Sequence, residues 1–539
     1  MELKRMTGGQ AVVAVLSAHG VDTVFGIPGG HNLAIYDALA QQQTIRHVLG
    51  RHEQGLGFMA DGYARACGRV GVALVTSGPA VANLGAALGG ATTDTSAVLA
   101  IASTVQSDLL GKNRGGLHDC GESLEIMRPL CRHVCRCVSA REIPATIAGL
   151  LERLRTGRPG AAYCEIPCDV LNGEAQIAIP SPASGERLSP QPEQIRNAAQ
   201  MLAGAGRPVL WVGTGAVASD AATEVDQLAR RLGAIVVPTT LARGILPSDD
   251  PRVVSDDGVL KTPVTELMAQ ADVMLAVGSM FKQEDTAAWK AKMGQRLIHI
   301  DIDPNELGRS YAAEVGIVAD AKLALQALLA ALPDTGSAEG TWCERGKQAE
   351  EAWIEARRRQ SPFETDALGI LRSVVPRDAI LACDRCNLSY WAYRMMPVFK
   401  PRTFFYPMGY GTLGGALPQA LGAKLALPDK HVICVIGDGG FQFTATELAV
   451  AVQEKIPITV LLCNNNAYGA IRANQDKHFG GRRFGSTLVN PDFQLFARSY
   501  GIAYRKAESL EAFGQELSAA LATDELNMLE LTLDIADPP

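Results

Sequence analysis

The chain has 539 residues, 47% of them hydrophobic and 20% charged, with a formal net charge of −7. That length implies about three domains of ~150–200 residues, and the composition is that of a globular protein with ample core. The acidic balance argues against a nucleic-acid partner, which wants a basic surface. The opening MELKRMTGG has no apolar stretch behind its charges, unlike a signal peptide, and no apolar run has the length of a membrane span. A cytosolic protein with neither membrane nor nucleic acid as partner is expected. Twelve cysteines follow no even framework, as suits reduced thiols. The cluster of His118, Cys120, Cys131, His133, Cys135 and Cys137 matches no paired zinc knuckle, and neither does the lone Cys383-x-x-Cys386. Arg132 and Arg136 would oppose a cation there, so these thiols read as small hydrophobes.

Residues 1–175 alternate helical and strand patterns. A helix is predicted over 8–19, then a strand over 23–26 and the turn Ile27-Pro28-Gly29-Gly30. A strand near 46–49 leads into Arg51-His52-Glu53-Gln54-Gly55, followed by a helix over 60–67. The apolar run 70–76 ends in Ser77-Gly78-Pro79, and such unbroken strands belong to parallel sheets covered on both faces. Glu53, taken alone, is a carboxylate favoured by a helix dipole. The stretch 171–192 has the Pro, Ser, Gly and Ala content of a linker. A second α/β segment, 190–333, carries strands at 209–212, 234–238, 273–277 and 297–302. Its Gly213-Thr214-Gly215 turn leaves the dinucleotide fingerprint incomplete and reads more simply as a strand-to-helix turn. After a second linker at 333–340, a charged helix over 343–360 leads into a last domain, 355–539. There a strand at 380–384 precedes the glycine-rich stretch 409–418, which opens another helix.

The most informative segment is 432–472, VICVIGDGGFQFTATELAVAVQEKIPITVLLCNNNAYGAIR. Apolar runs at 432–436 and 458–462 flank a helical pattern over 444–455, and Thr444 and Glu447 stand in the T-x-x-E relation of a capping box. A strand-helix-strand unit of this size gives parallel strands, whose carboxyl ends are where α/β sheets bind ligands. That edge carries Gly437-Asp438-Gly439-Gly440 from one strand and Asn464-Asn465-Asn466 from the other. Glycines let backbone N–H groups approach a phosphate. A carboxylate, an amide oxygen and a carbonyl suit a hard cation such as Mg²⁺ shared with diphosphate.

The G-D-G, the E-L after it and the Asn run, at their separation, resemble the diphosphate-binding motif of thiamine diphosphate (ThDP) enzymes, the family of acetolactate synthase and 2-oxo acid decarboxylases. VFGIPGG, RHEQGLGFMADGYAR and TSGPAVAN resemble that family's pyrimidine-binding domain. The resemblance implies an α/β fold of three doubly wound parallel-sheet domains: pyrimidine-binding (1–175), middle (190–333) and diphosphate-binding (355–539). It assigns the metal to Asp438, Asn465 and the Ala467 carbonyl, with Gly439, Gly440, Tyr468 and Gly469 beside the diphosphate. Glu53 becomes the catalytic glutamate on the aminopyrimidine, with Pro28, Pro79 and Asn83 lining its pocket. Gly411 offers a carbonyl to the 4′-amino group, and Leu413 bends the cofactor. This loop departs from the family at Ala80-Val81-Ala82, where Gly-Ala/Leu-Thr is common.

The implied reaction is cleavage of a small 2-oxo acid through a C2-carbanion and enamine, ending as an aldehyde or on a second carbonyl. The implied assembly is a homodimer or dimer of dimers with the active site at the subunit interface. Acetolactate synthase is the alternative, and a non-catalytic ThDP-binding relative the second. Against the synthase, Ile471-Arg472 replaces its Q-W, Leu388-Ser389 its His-Gln pair, and LGKNRGGLHD its Ala-Phe-Gln-Glu segment. GIPGGHN, RHEQGLGFMADGYAR and LGKNRGGLHD resemble decarboxylases of larger 2-oxo acids, including the 5-guanidino-2-oxopentanoate enzyme. Gly30, His31 and His118 are therefore candidate substrate contacts, and Asp119 or Glu122 candidate partners of a cationic tail. FAD in the middle domain stays open, since residues 257–260 stand where the synthase's FAD segment is expected.

Overall fold

The computed structural model describes residues 2–182, 185–255, 262–333 and 340–538, so the 257–260 segment lies outside the described residues. Three wholly parallel sheets organise the chain. The first has six strands in the spatial order Arg46–Leu49, Thr23–Gly26, Gly71–Val75, Val98–Thr104, Ala161–Pro167 and His133–Arg136. The middle sheet has five, in the order Ile235–Pro238, Pro208–Val212, Val273–Val277, Arg296–Asp301 and Val315–Val318. The last has six, in the order Phe404–Phe405, Ile380–Cys383, Val432–Gly437, Thr459–Cys463, Asn527–Leu531 and Ala503–Ala507. Gly71–Val75, Val98–Thr104 and Ala161–Pro167 are buried along their whole length, because helices cover both faces. The expected linker at 171–192 begins instead with the helix Cys168–Asn172 and the strand Glu174–Ile177, which pairs antiparallel with Lys4–Thr7. Its Gly and Pro content hid a short strand whose partner lies at the far end of the domain.

Numbered within its own domain, each terminal sheet runs 2-1-3-4-6-5. In both, the chain first steps to one side and then to the other, leaving a crevice between strands 1 and 3 at their carboxyl ends, the usual place for a ligand. The helix leading from strand 2 to strand 3 is Glu53–Cys67 in the first domain and Ala416–Ala426 in the last. These two equivalent helices pack on each other. A Cβ on Gly62 would overlap the Gln419 carbonyl, and one on Gly422 the Met59 carbonyl, so the backbones touch with no side chain between them. The pairs Gly62–Gln419 and Met59–Gly422 run in opposite directions along the chain, which makes the helices antiparallel. One hydrophobic core then spans both terminal domains, with Met59, Tyr63, Leu417, Leu421 and Phe441 all buried in it.

Gly62→Ala or Gly422→Ala should cost about 1–3 kcal/mol or more by overpacking, seen as a lowered thermal midpoint. Gly20→Ala, at a site with nothing near the new methyl, adds no such overlap and should be disturbed only by its positive φ.

Candidate active site

The two crevices carry complementary chemistry. In the first domain, strand Thr23–Gly26 runs into Ile27-Pro28-Gly29-Gly30, a turn pinned by the buried Asn32. Its Oδ1 accepts from Gly29 N at 2.7 Å and its Nδ2 donates to Ile27 O at 3.2 Å. Strand Gly71–Val75 runs into Thr76-Ser77-Gly78 and the helix Pro79–Thr93. Glu53 opens its own helix, seven residues ahead of the expected 60–67 span, because His52 caps it by accepting from Gln54 N. Asn83 donates to the Glu53 carboxylate at 2.9 Å. Pro28, Gly30, Pro79 and Asn83 are exposed on the loop and helix start that follow the carboxyl ends of these strands. Ser77 Oγ lies 2.5 Å from His31 Nδ1 and 3.5 Å from His118 Nδ1, and the two imidazoles meet edge to face at 5.6 Å. Burial, and the neighbouring His118, lower the His31 pKa, which favours a neutral ring. Glu122 pairs with Arg136 at 3.2 Å, and Asp119 Oδ1 accepts from Gly121 N at 3.1 Å. Glu122 thus already has a cationic partner, whereas the Asp119 contact is a neutral backbone N–H.

In the last domain, Asp438 follows strand Val432–Gly437 and is only 2% exposed. Its Oδ2 accepts from Asn490 Nδ2 at 2.7 Å and from Ala467 N at 3.2 Å. Asn490 Nδ2 also lies 3.1 Å from Asn464 Oδ1 and 3.0 Å from Asn466 Oδ1. Burial pushes the Asp438 carboxyl up, and the groups that hold it down are neutral amides. Around it the backbone is bare. A Cβ on Gly439 would meet the Tyr468 ring at 2.6 Å, and one on Gly469 would meet Asn465 Nδ2 at 2.8 Å. Asp438, Gly439, Asn465, Ala467, Tyr468 and Gly469 are thus brought into one pocket, with Gly440 against Asp384. Among the described residues no cluster of three His, Cys, Asp or Glu side chains forms a metal site. The donors here are instead one buried carboxylate, amide oxygens and backbone, a hard oxygen set that suits Mg²⁺ and diphosphate. A buried carboxylate held only by neutral groups is also one that a cation would relieve of its desolvation.

The Gly411 loop reaches this pocket from the side. Asp384, 1% exposed and pushed up to about 6 by burial, accepts from Gly414 N at 2.6 Å. Gly411 sits at φ +70°, and Leu413 is half-buried at the mouth instead of joining the core. Thr444 does not cap a helix as its T-x-x-E spacing suggests. The helix starts at Asp438 and runs to Thr444, whose hydroxyl donates to Gly414 O at 2.6 Å. Glu447 then leaves its own domain altogether. Fully buried, it accepts from His52 N at 2.9 Å and from Arg51 N at 3.3 Å, just ahead of Glu53. Burial pushes its pKa up to about 7 against those hydrogen bonds. Asp384, Glu447 and Asn490 escape sequence reasoning because their partners lie far along the chain.

The middle domain adds a crevice of about 280 Å³ that all three domains line, with Thr214, Gly215, Asp301 and Asp320 on its wall. Gly213 and Gly215 pack on the Gly278 backbone, as expected of a tight strand-to-helix turn. Its cations are already engaged: Arg158 with Asp303 and Glu306, Arg187 with Asp320, Arg402 with Asp220.

Three family models match the chain in order. They are the N-terminal TPP (thiamine pyrophosphate, that is ThDP) binding domain over residues 6–126, the central domain over 195–328 and the C-terminal TPP binding domain over 384–531. The chain belongs to the thiamine pyrophosphate enzyme family. A probable 2-ketoarginine decarboxylase of Pseudomonas aeruginosa is 37% identical over 540 residues, 98% of this chain and 94% of that one. A probable acetolactate synthase large subunit of Methanocaldococcus jannaschii is 32% identical, covering 99% and 93%. An acetolactate synthase of Mycobacterium bovis is 33% identical, covering 97% and 87%. Members of the thiamine pyrophosphate enzyme family carry the cofactor that the two crevices suit. Among the described residues no helix is long and apolar enough to cross a membrane.

Glu447 supplies a stability test. Its folded pKa of about 7 lies above its ordinary 4.5, so it stabilises the fold fully below pH 4.5 and loses that contribution as pH rises from there to about 7. Glu447→Gln keeps an acceptor oxygen and should flatten the fall in unfolding midpoint across that window by up to one proton's slope. An unchanged slope would show that Glu447 titrates as it does in the unfolded chain.

Proposed function

We propose that the chain is a ThDP- and Mg²⁺-dependent enzyme that decarboxylates a 2-oxo acid and releases the aldehyde, working in the cytoplasm. The observation that carries this reading is the buried Asp438 carboxylate at a strand switch point, held by neutral amides and glycine backbone. Asp438, the Asn465 amide oxygen and the Ala467 carbonyl would hold Mg²⁺, and Gly439, Gly440, Tyr468 and Gly469 would border the diphosphate. When bound, ThDP supplies a nucleophilic carbon and an electron sink for the departing carboxylate. Glu53 would exchange a proton with the aminopyrimidine N1′, its carboxylate oriented by Asn83. Gly411 would receive the 4′-amino group at its carbonyl, and Leu413 would press the rings together. Pro28 and Pro79 would close the pyrimidine side.

One chain does not complete this arrangement. Glu53 starts a helix whose antiparallel neighbour starts just after Leu413, so the two loops lie at opposite ends of the pair, about 18 Å apart for a twelve-residue rise. Each edge also exposes apolar side chains: Leu33 and Leu117 on one, Phe443, Ile471, Phe484 and Val489 on the other. Exposure of this kind marks an interaction surface. The reading is therefore a homodimer, or a dimer of such dimers, in which Glu53 of one copy faces Asp438 of the next.

His31 and His118 decide the product. Releasing an aldehyde requires a proton at the carbon that loses CO₂; Ser77 Oγ–H donating to His31 Nδ1 would leave the neutral ring's proton on Nε2, the nitrogen from which it would be given. Carboligation to acetolactate is the second reading, favoured by the acetolactate synthases that align over nearly the whole chain.

Glu53→Gln should lower CO₂ release by about 10²–10⁴ while ThDP still binds with Mg²⁺ by calorimetry. Loss of binding in step with activity would make Glu53 a structural residue. His31→Ala should lower the aldehyde formed per CO₂. Acetolactate from pyruvate as the wild-type product would replace the first reading with the second.

A further inference from the structure

Asn490 enters the metal pocket from a segment beyond both strand ends, and its amide joins the two turns there. Nδ2 donates to Asp438 Oδ2 at 2.7 Å and lies 3.1 Å from Asn464 Oδ1 and 3.0 Å from Asn466 Oδ1, while Oδ1 accepts from Gln442 Nε2 at 2.7 Å. Turned over, the amide would set its oxygen against three oxygens and its NH₂ against that of Gln442, so only one orientation satisfies its neighbours. The backbone behind it is fixed. Pro491 follows, Asp492 caps the helix Phe493–Ser499 by accepting from Leu495 N at 2.9 Å, and Phe493 is buried edge to face on Phe441 at 5.8 Å. Phe441 and Gln442 both belong to the helix that Asp438 starts. Asn490 is therefore held against that helix by packing on one side and by hydrogen bonds on the other.

We propose that Asn490 is a positioning residue of the metal pocket, aimed by Gln442 to engage Oδ2 of Asp438 and so to leave Oδ1 for the cation. The hydrogen bond from Ala467 N, at 3.2 Å, ends on the same Oδ2. Two donors on one oxygen resist rotation of the carboxylate and favour a ligand that gives one oxygen over one that chelates with both. Mg²⁺ wants such a ligand in its small, near-octahedral shell, whereas Ca²⁺ accepts both oxygens of a carboxylate in a looser one. The same amide has two protons for three oxygens, so Asp438, Asn464 and Asn466 keep lone pairs to spare, as suits a cation site. Asn490 also ties the Asp438 carboxylate to the 464–466 turn, which sets the spacing between Asp438 and Asn465, the two side chains assigned to the metal. The assignment rests on the Mg²⁺ reading of this pocket and adds the residue that fixes its geometry and its choice of cation.

Binding, rather than turnover, tests it. ThDP is titrated into the full chain by calorimetry at stepped Mg²⁺. Asn490→Ala should need about tenfold or more Mg²⁺ for half-maximal binding than the wild type, the usual effect of losing a group that orients a metal ligand. The Ca²⁺ requirement should rise less, so the preference for Mg²⁺ over Ca²⁺ should fall by about threefold or more. Gln442→Ala, at an exposed position, should shift both quantities the same way by a smaller factor, and it carries the test if Asn490→Ala does not fold. An unchanged Mg²⁺ requirement in either folded variant, or a proportional loss for both cations, as a merely structural role gives, would overturn the assignment. Wild-type binding of ThDP that depends on neither cation, or no binding at all, would overturn the ThDP and Mg²⁺ reading and the assignment with it.

Discussion

The contact on which the rest of the molecule depends is the backbone approach of the helices Glu53–Cys67 and Ala416–Ala426. With glycine at Gly62 and Gly422, the two terminal domains share one core and have no freedom to slide. The antiparallel sense of that contact then sets everything at the edges. It sends the Glu53 rim to one end of the domain pair and the Gly411–Asp438 pocket to the other. A chain built this way presents the two edges facing apart, each with exposed apolar side chains.

Glu447 ties the halves together in a less obvious way. It sits at the far end of the segment that begins with Asp438, about 15 Å along helical and 3₁₀ turns, and it holds the backbone just before Glu53. Whatever moves the Asp438 helix therefore acts on the start of the Glu53 helix in the same chain. Asp94 makes a related contact the other way, accepting from Gly409 N at 3.0 Å ahead of the Gly411 loop while it pairs with Arg65 and Lys282. Each domain thus holds the active-edge loop of its neighbour with a buried carboxylate.

The meeting of Asp438 with the Asn465 turn was legible in the sequence because it is local. Asp438 and Asn465 follow consecutive strands, and parallel pairing puts their ends side by side whatever the rest of the chain does. The strands themselves were legible for the same reason, as unbroken apolar runs between glycine turns. What could not be read was contact between distant segments. Thr444 and Glu447 have the spacing of a local cap, yet the hydroxyl binds Gly414 and the carboxylate binds Arg51 and His52. Glu284 accepts from Arg385 Nη2 at 2.6 Å across a domain boundary, and nothing near either one in sequence announces the pair. Glu122, which does lie near a histidine of the rim in sequence, pairs with Arg136 from a strand further on. The strand Glu174–Ile177 was hidden by a loop-like composition and is made a strand by Lys4–Thr7.

The proposal that Glu53 of one copy serves the cofactor held by Asp438 of another is tested most directly by mixing two inactive variants. Glu53→Gln and Asp438→Asn chains, co-expressed and recovered as hybrid dimers, would pair one doubly altered site with one wholly native site. The account predicts that ThDP-dependent CO₂ release returns in the mixture, to about a quarter of the wild-type rate for random pairing of copies. A mixture as inactive as either variant alone, from dimers shown to contain both chains, would contradict it.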